Sequence, residues 1–381
     1  MGMIYELLST PPAYLKKALV RSENAGRSRE PIIIPFGSHR LQHCVLWEPD
    51  EVTHEMPVMY FHGGGYLVGT PESMIDAANV YNSMGYRFCS VGFRLMPSGP
   101  FPAQVDDAFA GISAARAWMG AHGRPAERFF VGGSSCGGHL AMLVGYGSEL
   151  QRAHGLDARA VAGVISVAGI THVDDMLLRP FPAGVWGRFV ALPAAGGEDG
   201  GSGAPAAGGG RDGRSAPAIN GDGDVCHTSA AGGDCDGRRA TTASGSRGER
   251  HRPTAGKRHD ESYVLAASRS RGDRHRALLP YSPVELIEQI PTGQWVPPFF
   301  AIHGYADKMS PYVHEAAFAE KLRRLYGPDT ARLFTVDRWT WQHMWTTVTL
   351  HKDRVEESVS LRELFAWLAA IGGGASVEGE A

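Results

Sequence analysis

Short apolar runs rich in β-branched and aromatic residues recur along the chain. They fall at about 31–36, 42–48, 57–61, 88–93, 128–132, 161–167, 297–303 and 331–336, and each reads as a strand. Between the later runs, apolar residues recur three and four positions apart over 72–84, 104–121, 137–152, 312–326 and 357–370, the spacing of helices with one buried face. Strands alternating with helices predict an α/β fold, with a mostly parallel eight-stranded sheet and helices on both faces. The first two runs lie close together, which suits an antiparallel hairpin.

One stretch breaks the pattern. Residues 193–260 are mainly Gly, Ala, Ser, Asp and Arg with almost no large apolar side chains. Such a segment cannot bury enough surface to offset its ordering entropy, so it is expected to be a disordered low-complexity insertion. It falls between the sixth and seventh strands, where it is either a lid over the site or a tolerated surface loop without function. The expected organisation is a single domain from 1–192 and 261–372, the insertion 193–260, and a flexible tail 373–381.

Composition narrows the classes. At 381 residues and 43% hydrophobic, the chain can bury one large core. A net charge of −3 leaves no basic footprint for nucleic acid. Five cysteines without regular spacing fit a reducing compartment rather than a disulfide scaffold. No apolar run approaches the ~18 residues of a membrane span, and no N-terminal segment has signal-peptide form. The expectation is a cytoplasmic protein without stable membrane insertion. Cys226, His227 and Cys235 match no usual ligand spacing, so no metal is expected.

The candidate chemistry starts at Gly133-Ser134-Ser135-Cys136-Gly137. The preceding run Arg128-Phe129-Phe130-Val131 is a strand and the following Gly138-His139-Leu140-Ala141-Met142-Leu143-Val144 a helix. Strand, Gly-x-Ser-x-Gly turn and helix form a nucleophile elbow that projects the serine over a helix N-terminus. Only Ser135 has glycine two positions away on both sides; Ser134 and Cys136 lack it. Cys136 is expected to supply its backbone N–H to an oxyanion hole, with its thiol packed or mildly reactive.

Upstream, the strand Val58-Met59-Tyr60-Phe61 runs into His62-Gly63-Gly64-Gly65-Tyr66. Glycines there expose backbone N–H groups, so Gly63, Gly64 and Gly65 are candidate oxyanion donors beside the elbow. His62 is expected to orient the loop rather than to act as a base.

With both motifs in place, the chain resembles the hormone-sensitive-lipase-like (fold-3) branch of the α/β-hydrolases, a set of carboxylesterases and lipases. Phe93-Arg94-Leu95-Met96-Pro97, Phe101-Pro102-Ala103 and Asp106-Asp107-Ala108 are similar to segments of that branch. The resemblance covers roughly 57–190 and 278–350, and implies an α/β-hydrolase fold with a small cap. The chain departs from the branch at Ser134 and Cys136, where Asp and Ala are usual. Gly138-His139-Leu140 is closer to kynurenine-formamidase-like and isoprenylcysteine-esterase-like relatives.

A serine needs a base, and the base needs an orienting acid. In this fold the acid and then the histidine follow the serine along the chain. Asp307 follows the strand 296–302 in His303-Gly304-Tyr305-Ala306-Asp307, which resembles the family's acid loop. His343 lies after the last strand, in a loop with Trp339, Trp341 and Trp345. His303 stands too near the acid along the chain, and His314 and His351 fall in expected helices. The expected triad is Ser135, Asp307, His343. Tyr66, Trp186 and Phe189 are expected at the substrate, the last two within a cap and acyl pocket built from Thr171–Leu192, Leu278–Ile290 and Ile4–Val20.

The activity that follows is hydrolysis of short- to medium-chain carboxylic esters through an acyl-enzyme, with no cofactor and a small-molecule ester as partner. The alternatives are an arylformamidase-like amidase, or a catalytically inactive ligand receptor on a hydrolase scaffold. A protein partner for the insertion is not specified by the sequence.

Overall fold

In a computed structural model, the structure describes residues 30–173, 191–193, 263–265, 271–336, 343, 346–347 and 350–373. The strands are β1 (Ile32–Pro35), β2 (His43–Trp47), β3 (His54–Phe61), β4 (Tyr86–Val91), β5 (Phe129–Ser134), β6 (Val161–Val167), β7 (Ala191–Pro193), β8 (Tyr263–Leu265), β9 (Phe299–Gly304) and β10 (Ala331–Val336). The helices are α1 (Ile75–Ser83), α2 (Ala103–Ala121), α3 (Cys136–Tyr146), α4 (Ser148–Ala153), α5 (Arg271–Leu278), α6 (Pro283–Leu286), α7 (Tyr312–Tyr326) and α8 (Val359–Gly373).

Eight strands form one sheet in the order β1-β2-β4-β3-β5-β6-β9-β10. β1 pairs antiparallel with β2, and β2 antiparallel with β4. The other neighbours are parallel. All eight expected strands are present, and the first two form the expected hairpin.

Alternation along the strands splits the core into two layers. Met59, Phe61, Phe129, Val131, Phe299 and Ala301 face one side, packed with residues of α2, α3 and α7. Val58, Tyr60, Phe130, Ile165, Phe300 and Ile302 face the other, packed with residues of α1 and α8. A strand buried on both faces must be apolar throughout, and β3, β5, β6 and β9 read that way in the sequence.

Strand order reverses around β3, which has β4 on one side and β5 on the other. The loops after β3 and β5 therefore leave the same carboxyl edge side by side, at the switch point where open α/β sheets collect their ligands.

Two local features differ from the sequence reading. The expected helix 137–152 is two, α3 and α4, separated at Gly147, whose φ of −81° and ψ of 81° are not helical. The small antiparallel pair β7–β8 was not foreseen; it brings together the chain ends that flank 194–262. All described residues belong to one compact unit, 1–194 with 262–381. The insertion, the N-terminal residues 4–20, the tail beyond 373, and Trp186 and Phe189 lie outside the described residues. No helix among the described residues is long and apolar enough to cross a membrane.

Candidate active site

The elbow is made by backbone contact. Ser135 takes φ 55° and ψ −119°, a strained conformation for a residue with a side chain. A Cβ at Gly133 would sit 2.2 Å from the carbonyl of Gly137, and a Cβ at Gly137 2.1 Å from the carbonyl oxygen of Phe61. Both contacts are to main chain and no rotamer relieves them, so the turn requires glycine at both positions. The N–H of Ser135 donates to Val167 O at 2.9 Å, tying the turn to β6.

Ser135, His343 and Asp307 come together across three strand ends. Ser135 Oγ lies 2.7 Å from His343 Nε2, and His343 Nδ1 lies 2.8 Å from Asp307 Oδ2. All three side chains are buried. Asp307 Oδ1 accepts the N–H groups of Met309 at 2.8 Å and Ser310 at 2.9 Å. Burial alone would raise the Asp307 carboxyl, but the neighbouring His343 and His303 outweigh it and hold the group well below the usual carboxylate range.

The glycine loop after β3 lies against the elbow: a Cβ on Gly63 would approach Ser134 O at 3.2 Å and Ser135 Cβ at 3.5 Å. Gly64, Gly65 and Tyr66 have positive φ, so the loop turns back on itself. His62 is stacked on Phe93 at 4.2 Å and bonds through Nδ1 to its neighbour Gly63 O at 2.7 Å. Burial lowers the imidazole to about 4, so it is neutral and Nδ1 is the donor.

Tyr66, expected at the substrate, is fully buried. Its N–H donates to Cys136 Sγ at 3.4 Å. Its hydroxyl meets Cys136 O at 3.1 Å and His139 Nδ1 at 2.8 Å. His139 Nε2 in turn faces Tyr281 O at 2.7 Å; a carbonyl only accepts, so Nε2 carries the proton, and the single Tyr66 hydroxyl proton is shared between Nδ1 and Cys136 O. The hydroxyl is thus held by α3, and through His139 by the segment after the insertion.

The Cys136 thiol is fully buried behind the same loop. Burial pushes it up to about 12, against backbone N–H groups, that of Tyr66 first, which favour the thiolate. Of the two states expected for this sulfur, the structure shows the packed one, because no face of it reaches solvent.

A second brace holds the loop from behind. Arg94 binds Asp107 through Nε and Nη2, each at 2.8 Å, and Arg94 N–H adds a third bond at 2.8 Å. Gln42 Nε2 reaches the same carboxylate at 2.7 Å. This fixes the turn after Phe93, from which Met96 N–H donates to Tyr66 O at 2.8 Å.

One part of the site was passed over in the sequence. His303, set aside for its nearness to Asp307, is fully buried beside that acid, and Glu315 of α7 closes on its other nitrogen. The sequence held a signal for it. Glu315 shares helical spacing with the buried Phe318, Ala319 and Leu322, so a carboxylate stands on the apolar stripe of α7, where an unpaired charge would be costly. Among the described residues no cluster could hold a metal ion.

A buried Ser–His–Asp chain at the carboxyl edge of a doubly covered sheet, with a glycine loop alongside, is the arrangement of the α/β-hydrolase fold. The sequence profile of a family described as the alpha/beta hydrolase fold matches residues 58–176. That match covers about a third of the chain, and over it the chain is similar to the α/β-hydrolases of the hormone-sensitive-lipase-like branch. Esterase LipI of Mycobacterium tuberculosis is 36% identical over 103 residues, 25% of this chain and 30% of that protein. Carboxylesterase NlhH of the same organism is 28% identical over 144 residues, 36% of this chain and 41% of its own. The chain thus spans less than half the length of the curated relatives it matches. The crystal structure of esterase B from Lactobacillus rhamnosis shares the fold at a TM-score of 0.56 and 15% identity, over 96% of this chain and 92% of that one.

Proposed function

We propose that the protein is a serine hydrolase that cleaves short- to medium-chain carboxylic esters through an acyl-enzyme. The observation that carries this reading is the unbroken chain of contacts from Ser135 Oγ to His343 (2.7 Å) to Asp307 (2.8 Å). His343 Nε2 takes the hydroxyl proton as Ser135 Oγ attacks the ester carbonyl, and later returns it to the leaving alcohol. Asp307 holds the Nδ1–H tautomer and balances the imidazolium that forms. The N–H of Cys136, at the start of α3, and those of the Gly63–Gly65 loop serve the oxyanion; one such donor is worth about 3 kcal/mol in the transition state. Water then attacks the acyl-enzyme by the same route. Tyr66 keeps the loop against α3 from below rather than meeting the substrate.

The relatives named as esterases support ester over amide substrates. His139, part of the stretch that suggested a formamidase, is buried between Tyr66 and Tyr281 and so says nothing about the leaving group. The test is turnover of a chain-length series of p-nitrophenyl esters by wild type and Ser135→Ala. Serine-dependent turnover that peaks at short or medium chains is expected; equal rates for the two proteins would refute the assignment.

A further inference from the structure

The hydrogen bonds around His303 favour one protonation state. Its Nδ1 meets Glu315 Oε2, and its Nε2 faces Ser310 O at 2.8 Å and Asp307 Oδ2 at 3.2 Å. The Ser310 carbonyl only accepts, so Nε2 carries a proton. Nδ1 and Glu315 Oε2 would repel each other lone pair to lone pair, so a proton lies between them; imidazole is ordinarily a stronger base than a carboxylate, which puts that proton on the ring. Glu315 Oε1 accepts from the Ser166 hydroxyl, itself an acceptor for Gly169 N–H at 3.2 Å, and this bond favours the carboxylate.

Other described groups also lie near this ring. α7 brings Glu315 and the edge of Tyr312 at 5.9 Å, whose hydroxyl bonds Thr335 at 2.9 Å. The loop after β9 brings Asp307, whose Oδ2 also meets His343, and β6 brings Ser166, whose hydroxyl bonds Glu315.

We propose that His303 is a charged positioning residue, a buried imidazolium clamped between Glu315 and Asp307, which shares the Asp307 charge with His343. The proposal rests on the reading of Ser135, His343 and Asp307 as the triad. Asp307 Oδ2 is divided between two imidazole rings while its Oδ1 is held by two N–H groups. Without the His303 cation the carboxylate would act undivided on His343, which would keep its proton to higher pH. The electrostatics agree. Burial works against charge on His303, but Glu315 and Asp307 outweigh it and raise the group to about 10. His303 touches no reacting atom; it acts through Asp307.

The experiment is 15N-histidine NMR of the full chain over pH 6–9, together with pH profiles of kcat/KM for wild type and His303→Gln. In wild type both His303 ring nitrogens are expected to stay protonated throughout. In His303→Gln the acid limb is expected to move up by about one pH unit, a roughly tenfold loss at low pH, with the high-pH plateau changed less. A His303 ring that becomes neutral in this range, or a folded His303→Gln with an unmoved limb, would overturn the proposal. If His303→Gln does not fold, Glu315→Gln keeps the ring in place. His303 should then lose its proton at lower pH than in wild type, and an unchanged titration counts against the clamp. The ring signals of His343 give the limb without turnover, so a missing Ser135-dependent esterase activity would refute the functional reading and leave this test standing.

Discussion

Alanine at Gly137 probes how the elbow and the glycine loop are held together. The added Cβ would lie 2.1 Å from Phe61 O, 2.6 Å from His62 O and 2.7 Å from Phe61 C. Every one is a backbone atom. Carbon contacts settle near ~3.5 Å, so the N-terminus of α3 and the end of β3 must part by about 1 Å. The residues displaced lead directly into Gly63–Gly65, so the loop moves away from the position where the ester oxygen would sit. A misplacement of about 1 Å costs on the order of 100-fold in rate, equivalent to roughly 2.7 kcal/mol of transition-state stabilisation. The fold loses about 1–3 kcal/mol as well, the usual cost of overpacking. The assay is kcat/KM on the best ester of the chain-length series, with the thermal midpoint measured beside it. Gly120→Ala is the control: on α2 its Cβ meets nothing within 4 Å, and stability should hold or rise by roughly 0.5–1 kcal/mol. A Gly137→Ala protein with wild-type kcat/KM and midpoint would refute the contact argument.

Three further outcomes follow from the same structure. Asp107→Ala strands Arg94 and frees the turn that donates Met96 N–H to the oxyanion loop. Because the Arg94 side chain is partly exposed, the expected loss is about 2–4 kcal/mol, below that of a fully buried pair, read from denaturant midpoints, with Asp107→Asn retaining more. His62, His139 and His351 are buried and held near about 4 by desolvation. A folded value below the unfolded one means their contribution is whole above about pH 6.5 and drains as pH falls toward 4, by at most roughly 3 kcal/mol each. Urea titrations at pH 7 and 4.5 check this, and equal stabilities would contradict it. Cys136 should resist thiol reagents in the native protein and react only on unfolding, and Cys136→Ala, which keeps the backbone N–H, should hold kcat/KM within a few-fold. Fast native labelling that stops turnover would place the thiol in the cleft instead.

How far the sequence could be read depends on what kind of information each feature carries. The sheet was legible because parallel strands covered on both faces must be apolar throughout, and runs such as 57–61 and 161–167 stand out for that reason. That Ser135, Asp307 and His343 would meet could be expected without coordinates because each follows a strand, and this fold brings its strand ends to one edge. What could not be read was set by side-chain direction and by partners distant in sequence. Tyr66 follows the glycine loop and looked like a pocket residue. The backbone turns over at Gly64–Tyr66 and points its ring into the core, where His139 takes the hydroxyl. His303 was dismissed because four residues separate it from Asp307, yet the turn after β9 folds that short span so that both groups meet. The clue lay on another element, in a glutamate on the apolar stripe of α7. A charge placed where packing calls for a hydrocarbon has to be answered by a buried opposite charge, and in this chain the answering group is His303, which shares Asp307 Oδ2 with His343.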